Sequence, residues 1–159
     1  MSEPDAGSAV TDLKTSATPD GDDFLINGSK VFGTNSVEAN LFLIYLRFGP
    51  GIEGIGSAII EKGTEGFDIG PSYQYMNGES WSPLYFNNCR ISKNNILLGP
   101  GGFKKQISGF NVERLGNAAR AVAVGKKAFT EACEHAKNRQ QFGRDLCEFQ
   151  GLQWKFAEM

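Results

Sequence analysis

A change of grammar at Gly99-Pro100-Gly101-Gly102 divides this chain. Before it, Gly, Pro, Asn and Asp punctuate short runs of aliphatic and aromatic residues, the pattern of antiparallel strands. After it, the stretch from Phe103 to Asn138 has no proline and is rich in Ala, Lys, Arg, Glu and Gln, so it favours helix. Strands first and helices second make a segregated α+β chain. The expectation is an antiparallel β-barrel or sandwich-like domain over residues 1–99, then two helices of an incomplete bundle over residues 100–159. A length of 159 residues suits one domain, or one domain and part of a second.

The first hairpin is the most specific strand signal. Leu13 to Thr18 and Asp23 to Ile26 flank Pro19-Asp20-Gly21-Asp22, where Pro presets the turn and Gly tolerates positive φ. Asn27-Gly28 reads as a second turn. Further strands are expected over Lys30 to Thr34, Ala39 to Phe48, Gly56 to Glu61, Phe67 to Tyr75, Pro83 to Asn88 and Ile91 to Leu97. In the helical part, Ser108-Gly109 or Asn111 marks a cap or break. Leu115, Ala119, Val122, Phe129, Ala132 and Ala136 recur at roughly helical spacing, and Gly116, Ala121 and Gly125 keep the other faces small. Such a helix is built for close neighbours. A second helix starts near Cys147 or Glu148 and is still running at Met159, so the expectation is a piece of a larger protein or an obligate homo-oligomer.

Composition narrows the function. Sixteen Lys and Arg against 18 Asp and Glu leave a net charge of -2, which disfavours nucleic acid as a partner. Cys89, Cys133 and Cys147 form no CxxC pair, and His135 is the sole histidine, so no metal site and a reducing compartment are expected. The longest apolar run, Leu41 to Leu46, is far shorter than a membrane span. Ser-Glu-Pro-Asp after Met1 is unlike a signal peptide, and the expected location is cytoplasmic.

Four segments carry candidate chemistry, each beside a plainer reading. The Ser2 to Ser8 loop offers hydroxyls and backbone N–H groups to a polar ligand, or is an ordinary capped turn. Phe32 and Thr34, two apart on a strand, place an aromatic face and a hydroxyl on one side, which suits a flat ring needing one hydrogen bond. A core Phe with an edge Thr would read the same. Glu113-Arg114 follows Phe110 and Asn111 at a helix start, so a carboxylate there is either a general base in an apolar pocket or a favourable N-terminal charge. Asn138 to Arg144 gathers two guanidiniums and amides around Phe142, as a phosphate-binding corner or as a helix C-cap at Gly143.

In order and spacing these segments resemble the acyl-CoA dehydrogenases, from the middle of the enzyme into its C-terminal helical domain, over essentially the whole chain. The matching stretches are Ser2-Glu3-Pro4-Asp5-Ala6-Gly7-Ser8, Ile26-Asn27-Gly28-Ser29-Lys30, Thr34-Asn35, Ile59 to Phe67, Asn95 to Gly99, Glu113-Arg114 and Asn138 to Gly143. The resemblance implies FAD bound between domains and across a subunit interface. Ser2, Phe32 and Thr34 would meet the flavin, and Arg139, Gln141 and Phe142 the FAD of a neighbouring subunit. Ser8, Phe110, Asn111 and Arg114 would line the acyl-CoA site. Glu113 stands at the base position of the isovaleryl-CoA and long-chain members, where a glutamate takes the α-proton as the β-hydrogen leaves as hydride to flavin N5. Electron-transfer flavoprotein would then accept the electrons. Departures are Phe32 where tryptophan is common, Glu79 where arginine is common, and an atypical Trp81-Ser82-Pro83. The competing expectations are a non-catalytic, self-associating domain that binds no flavin, and a relative with a different acyl-CoA or flavin-oxygenase reaction.

Overall fold

Gly21, at φ 65°, turns the chain between β1 (Ser16–Asp20) and β2 (Asp23–Thr34) in the computed structural model, which describes all 159 residues. The expected hairpin forms here, with Asp20 opposite Asp23 and Ser16 opposite Asn27. The sheet continues through β3 (Leu41–Arg47), β4 (Ile55–Glu61), β5 (Phe67–Ile69), β6 (Tyr73–Gln74), β7 (Ser80–Ser92) and β8 (Ile96–Leu98). Its order is β5-β7-β2-β1-β3-β4-β8, with β6 on β7. Pairing is antiparallel throughout, apart from a single parallel contact of β1 with β3 at Ser16 and Arg47.

Alternation along these strands sends one face inward. Phe42, Ile44 and Leu46 of β3, Ala58 and Ile60 of β4, and Leu84, Phe86 and Ile91 of β7 are buried in one core. Phe42 and Phe67 come from strands far apart in the sheet order, yet their rings meet edge to face at 4.9 Å. The sheet therefore curls over its own core, as the barrel-like expectation required. Phe67 also stacks on Phe86 at 5.0 Å. Such ring pairs add roughly 0.5–1.5 kcal/mol each beyond their burial.

Several boundaries differ from the expectation. β1 runs on through Pro19 and Asp20, so Gly21-Asp22 alone makes the turn; the stretch from Phe67 to Tyr75 forms two strands, β5 and β6; and Lys93–Asn95 breaks the stretch from Ile91 to Leu97 between β7 and β8. Asn27-Gly28 is not a turn; β2 runs through it, because a bulge absorbs the irregularity. Between the pairs Ile26–Cys89 and Gly28–Phe86 there is one residue on β2 and two on β7. Asn88 takes the left-handed conformation there (φ 49°), and Asn27 and Asn88 hold each other through hydrogen bonds of 2.8 and 3.1 Å. Gly28 is required at this point, since a Cβ would lie 2.7 Å from the Thr15 Cα. Likewise Pro83 to Asn88 and Ile91 belong to one 13-residue strand, β7, because the bulge at Asn88 continues the pairing instead of breaking it.

The chain divides into two compact units, Met1–Ser108 and Gly109–Met159. A short helix, α1 (Phe103–Ser108), closes the first unit, and Gly109 separates it from α2 (Phe110–Asn138). After α2 come a small hairpin, β9 (Gln140–Gln141) with β10 (Arg144–Asp145), and α3 (Gln150–Glu158). In this second unit Phe129 of α2 meets Phe156 of α3 edge to face at 6.0 Å. Ala136 is the one buried residue of α2, whereas Val112, Leu115, Val122 and Val124 are each at least 70% exposed.

Candidate functional site

The Ser2 to Ser8 loop is anchored by a buried charge pair. Glu3 and Ala6 exchange backbone hydrogen bonds of 3.1 Å, closing the turn. The Glu3 carboxylate turns inward and accepts from the Lys30 ammonium (2.6 Å), the Thr15 hydroxyl (2.6 Å) and the backbone N–H groups of Lys14 and Thr15. Glu3 is 7% exposed and Lys30 1%. Burial by itself would raise the Glu3 carboxyl, but the bonds from Lys30, Thr15 and the backbone outweigh it and hold it at about 2. Burial lowers the Lys30 ammonium, and Glu3 opposes that shift. Neither residue stood out among the sequence candidates, although both lie in the matching stretches.

Beyond Asn27, β2 has no partner on the side where β1 ended, and the loop takes that place: the Val31 N–H donates to the Ser2 carbonyl at 2.9 Å. Ser2 is thus half-buried beside the strand that carries Phe32 and Thr34, while Ser8 is exposed. A second bulge lies at this point. Between the pairs Lys30–Leu84 and Gly33–Ser82 there are two residues on β2 and one on β7. Phe32 sits in it at φ 57°. Strict alternation would put Phe32 on the inward face with Lys30; the extra residue reverses the parity, and Phe32 is 56% exposed. The core-Phe reading is thereby set aside. Thr34 is exposed on the same outer face, and Gly33 between them faces inward, where a Cβ would be 2.4 Å from the Ser36 hydroxyl oxygen.

Trp81, directly opposite Thr34, belongs to this outer surface as well. Its indole lies 4.9 Å from the Phe32 ring and stacks on Tyr73 at 4.8 Å and Tyr75 at 6.1 Å. An exposed ring, an exposed hydroxyl two residues on and a loop bearing Ser2 fit a flat heteroaromatic ligand with hydrogen-bonding groups at its edge.

In the second unit, Phe110 is half-buried at the start of α2, and Asn111, Glu113 and Arg114 are exposed on its first turns. The Arg114 guanidinium donates to the Asn111 side-chain carbonyl at 2.9 Å. At the far end, α2 stops at Asn138 and Arg139 is already extended. Gly143 is therefore not the helix cap. Phe142 and Gly143, at φ 53° and 77°, form the two-residue turn of the β9–β10 hairpin. This turn holds Phe142 94% exposed, with Arg139 and Gln141 exposed on the arm leading to it. The Arg144 guanidinium lies 3.9 Å over the Phe149 ring and braces the turn.

Both units match known family patterns. Residues 1–89 match "Acyl-CoA dehydrogenase, middle domain", and residues 100–159 match "Acyl-CoA dehydrogenase, C-terminal domain". The chain belongs to the acyl-CoA dehydrogenase family. Among curated relatives, 3-sulfinopropanoyl-CoA desulfinase of Advenella mimigardefordensis is 38% identical over 100% of this chain and 42% of its own length. The short-chain specific acyl-CoA dehydrogenase of Clostridium acetobutylicum is also 38% identical, over 100% of this chain and 43% of its own. The solved structure of butyryl-CoA dehydrogenase from Megasphaera elsdenii is similar with a TM-score of 0.89 and 33% identity, covering 99% of this chain and 43% of that one. This acyl-CoA dehydrogenase chain thus spans less than half the length of the relatives it matches. The family is FAD-dependent, and no helix here is long and apolar enough to cross a membrane.

Proposed function

We propose that this chain is the part of an FAD-dependent acyl-CoA dehydrogenase that holds the flavin and removes the α-proton of an acyl-CoA thioester. The observation that carries the reading is the exposed pair Phe32 and Thr34 with Ser2 tied beside their strand, in a chain of this family. Phe32 offers an aromatic face, Thr34 a hydroxyl donor, and Ser2 a second hydroxyl to the same ligand. Arg139, Gln141 and the projecting Phe142 serve the FAD of a neighbouring copy, since a guanidinium and an amide suit phosphate and an exposed ring suits stacking. Bound FAD supplies the acceptor for the hydride that leaves the β-carbon.

The remaining roles fall to the second unit and the loop. The Glu113 carboxylate takes the α-proton on an oxygen as that hydride leaves, a general-base step. Phe110 shields the acyl chain from water, and Asn111, held by Arg114, presents a polar edge to the thioester arm. Ser8 contacts the same arm. Electron-transfer flavoprotein reoxidises the enzyme, which works as a homo-oligomer in the cytoplasm, where its three free cysteines stay reduced.

The test is Glu113→Gln. Loss of roughly 10²- to 10⁴-fold in kcat with flavin content unchanged supports Glu113 as the base; undiminished turnover removes it from that role. The desulfinase relative favours a second reading, a different reaction on an acyl-CoA thioester. Anaerobic mixing with acyl-CoA separates the two: bleaching of the flavin reports dehydrogenation, and thioester conversion without bleaching reports the alternative.

A further inference from the structure

We infer that Trp81 is a second aromatic contact of the flavin, paired with Phe32 and absent from the residues so far assigned; this rests on the FAD reading above. Trp81 and Thr34 are directly opposed across β7 and β2, and opposed residues of an antiparallel pair project from the same face. That face is the outer one. On β7, Ser82, Leu84 and Phe86 are buried, and Trp81 alternates with them. The core therefore makes no claim on the indole.

Three rings fix where it stands. Phe32 lies 4.9 Å away at 49°, and Tyr73 and Tyr75 stack against Trp81 at 28° and 26°. Phe32 and Tyr73 remain 56% and 48% exposed, so the rings form an open aromatic surface and not a closed cluster. Large apolar rings held this way toward water mark a binding surface. Phe32 alone is a small platform for a tricyclic ring. The bulge that turns Phe32 outward brings it beside Trp81, and the two rings together supply the area that one phenyl lacks. The indole thus reaches the ligand from β7, whereas Phe32 reaches it from β2.

The decisive experiment titrates FAD into the flavin-stripped protein and its Trp81→Ala, Trp81→Phe and Trp154→Phe variants. Trp154 lies on α3, outside the proposed machinery. Affinity and FAD-dependent quenching of tryptophan emission are read together, with thermal unfolding as the control for structure. Stacking on one aromatic is strong enough that Trp81→Ala should bind FAD roughly tenfold more weakly, and Trp81→Phe should recover to within about threefold of wild type. Quenching should persist in Trp154→Phe and largely vanish in Trp81→Phe. If Trp81→Ala fails to fold, the quenching pair decides. Wild-type affinity in Trp81→Ala, or quenching that disappears with Trp154 instead, overturns the role of Trp81 while leaving the FAD reading intact. A wild-type protein that binds no FAD overturns both.

Discussion

Lys30 is a fully buried ammonium, and the fold accommodates it through one carboxylate, Glu3, 2.6 Å away and also buried. A buried pair of this kind contributes little beyond well-packed apolar residues, but removing one partner leaves an uncompensated charge that costs about 3–5 kcal/mol. Glu3→Gln should therefore destabilise the protein by about that amount at neutral pH, measured by urea unfolding. The pair also makes stability depend on pH in acid. Glu3 titrates near its ordinary 4.5 when unfolded and at about 2 when folded, so its contribution is complete above pH 4.5 and is lost as the pH falls toward 2. That shift corresponds to about 3 kcal/mol. Wild-type stability should fall by about this much across the window, and Glu3→Gln should lose that part of the pH dependence. Since Glu3 also ties the Ser2 loop to Thr15, just before β1, and to Lys30 of β2, the same residue that costs stability in acid positions part of the candidate flavin site.

Among the elements, the β9–β10 hairpin is built against its own local preference. A two-residue turn with both φ values positive favours Asn-Gly, yet the first position is Phe142 at φ 53°. A bulky residue in that region is strained, and such strain persists where function requires it. Phe142→Asn is expected to stabilise the hairpin by about 0.5–1 kcal/mol and at the same time to weaken FAD retention. Hydrogen exchange of the hairpin amides and flavin content after desalting check the two halves; unchanged flavin content would remove Phe142 from the site. The bulge at Phe32 follows the same logic, since β2 gives up regular pairing there and an aromatic ring is turned outward.

For the whole molecule, α2 is the dominant feature. Val112, Leu115, Val122 and Val124 stand at least 70% exposed on a helix whose middle, from Gly116 to Gly125, is otherwise mostly Ala and Gly. A groove of about 760 Å³ lined by Val122, Gly125, Phe129 and Met159 runs along the same unit. Apolar surface of this extent is stable in water when another copy or further helices cover it. Sedimentation should find an oligomer, and Leu115→Glu should shift it toward smaller species by burying a charge at the contact. A wild-type monomer would count against the homo-oligomer.

Much of this was legible in the sequence because it depends on neighbours in the chain. The change from strand to helix at residues 99–102, the tight turn at Gly21-Asp22 and the break at Ser108-Gly109 follow from local backbone preferences. The matching segments kept their order because each is a short run of residues. Other features depend on which strands meet and in what register, and no local rule carries that information. Asn27-Gly28 has the composition of a turn, but pairing with Asn88 made it part of a continuous strand. Strict alternation would set Phe32 and Lys30, two apart, on one face, and a bulge separates them. Glu3 and Lys30 are 27 residues apart, and Trp81 meets Phe32 and Thr34 only across β7 and β2. The sequence by itself determined the change from strand to helix, the first hairpin and the family. Tertiary structure decided which side chains reach the site, because bulges and cross-strand register are set by how the whole sheet closes over its core.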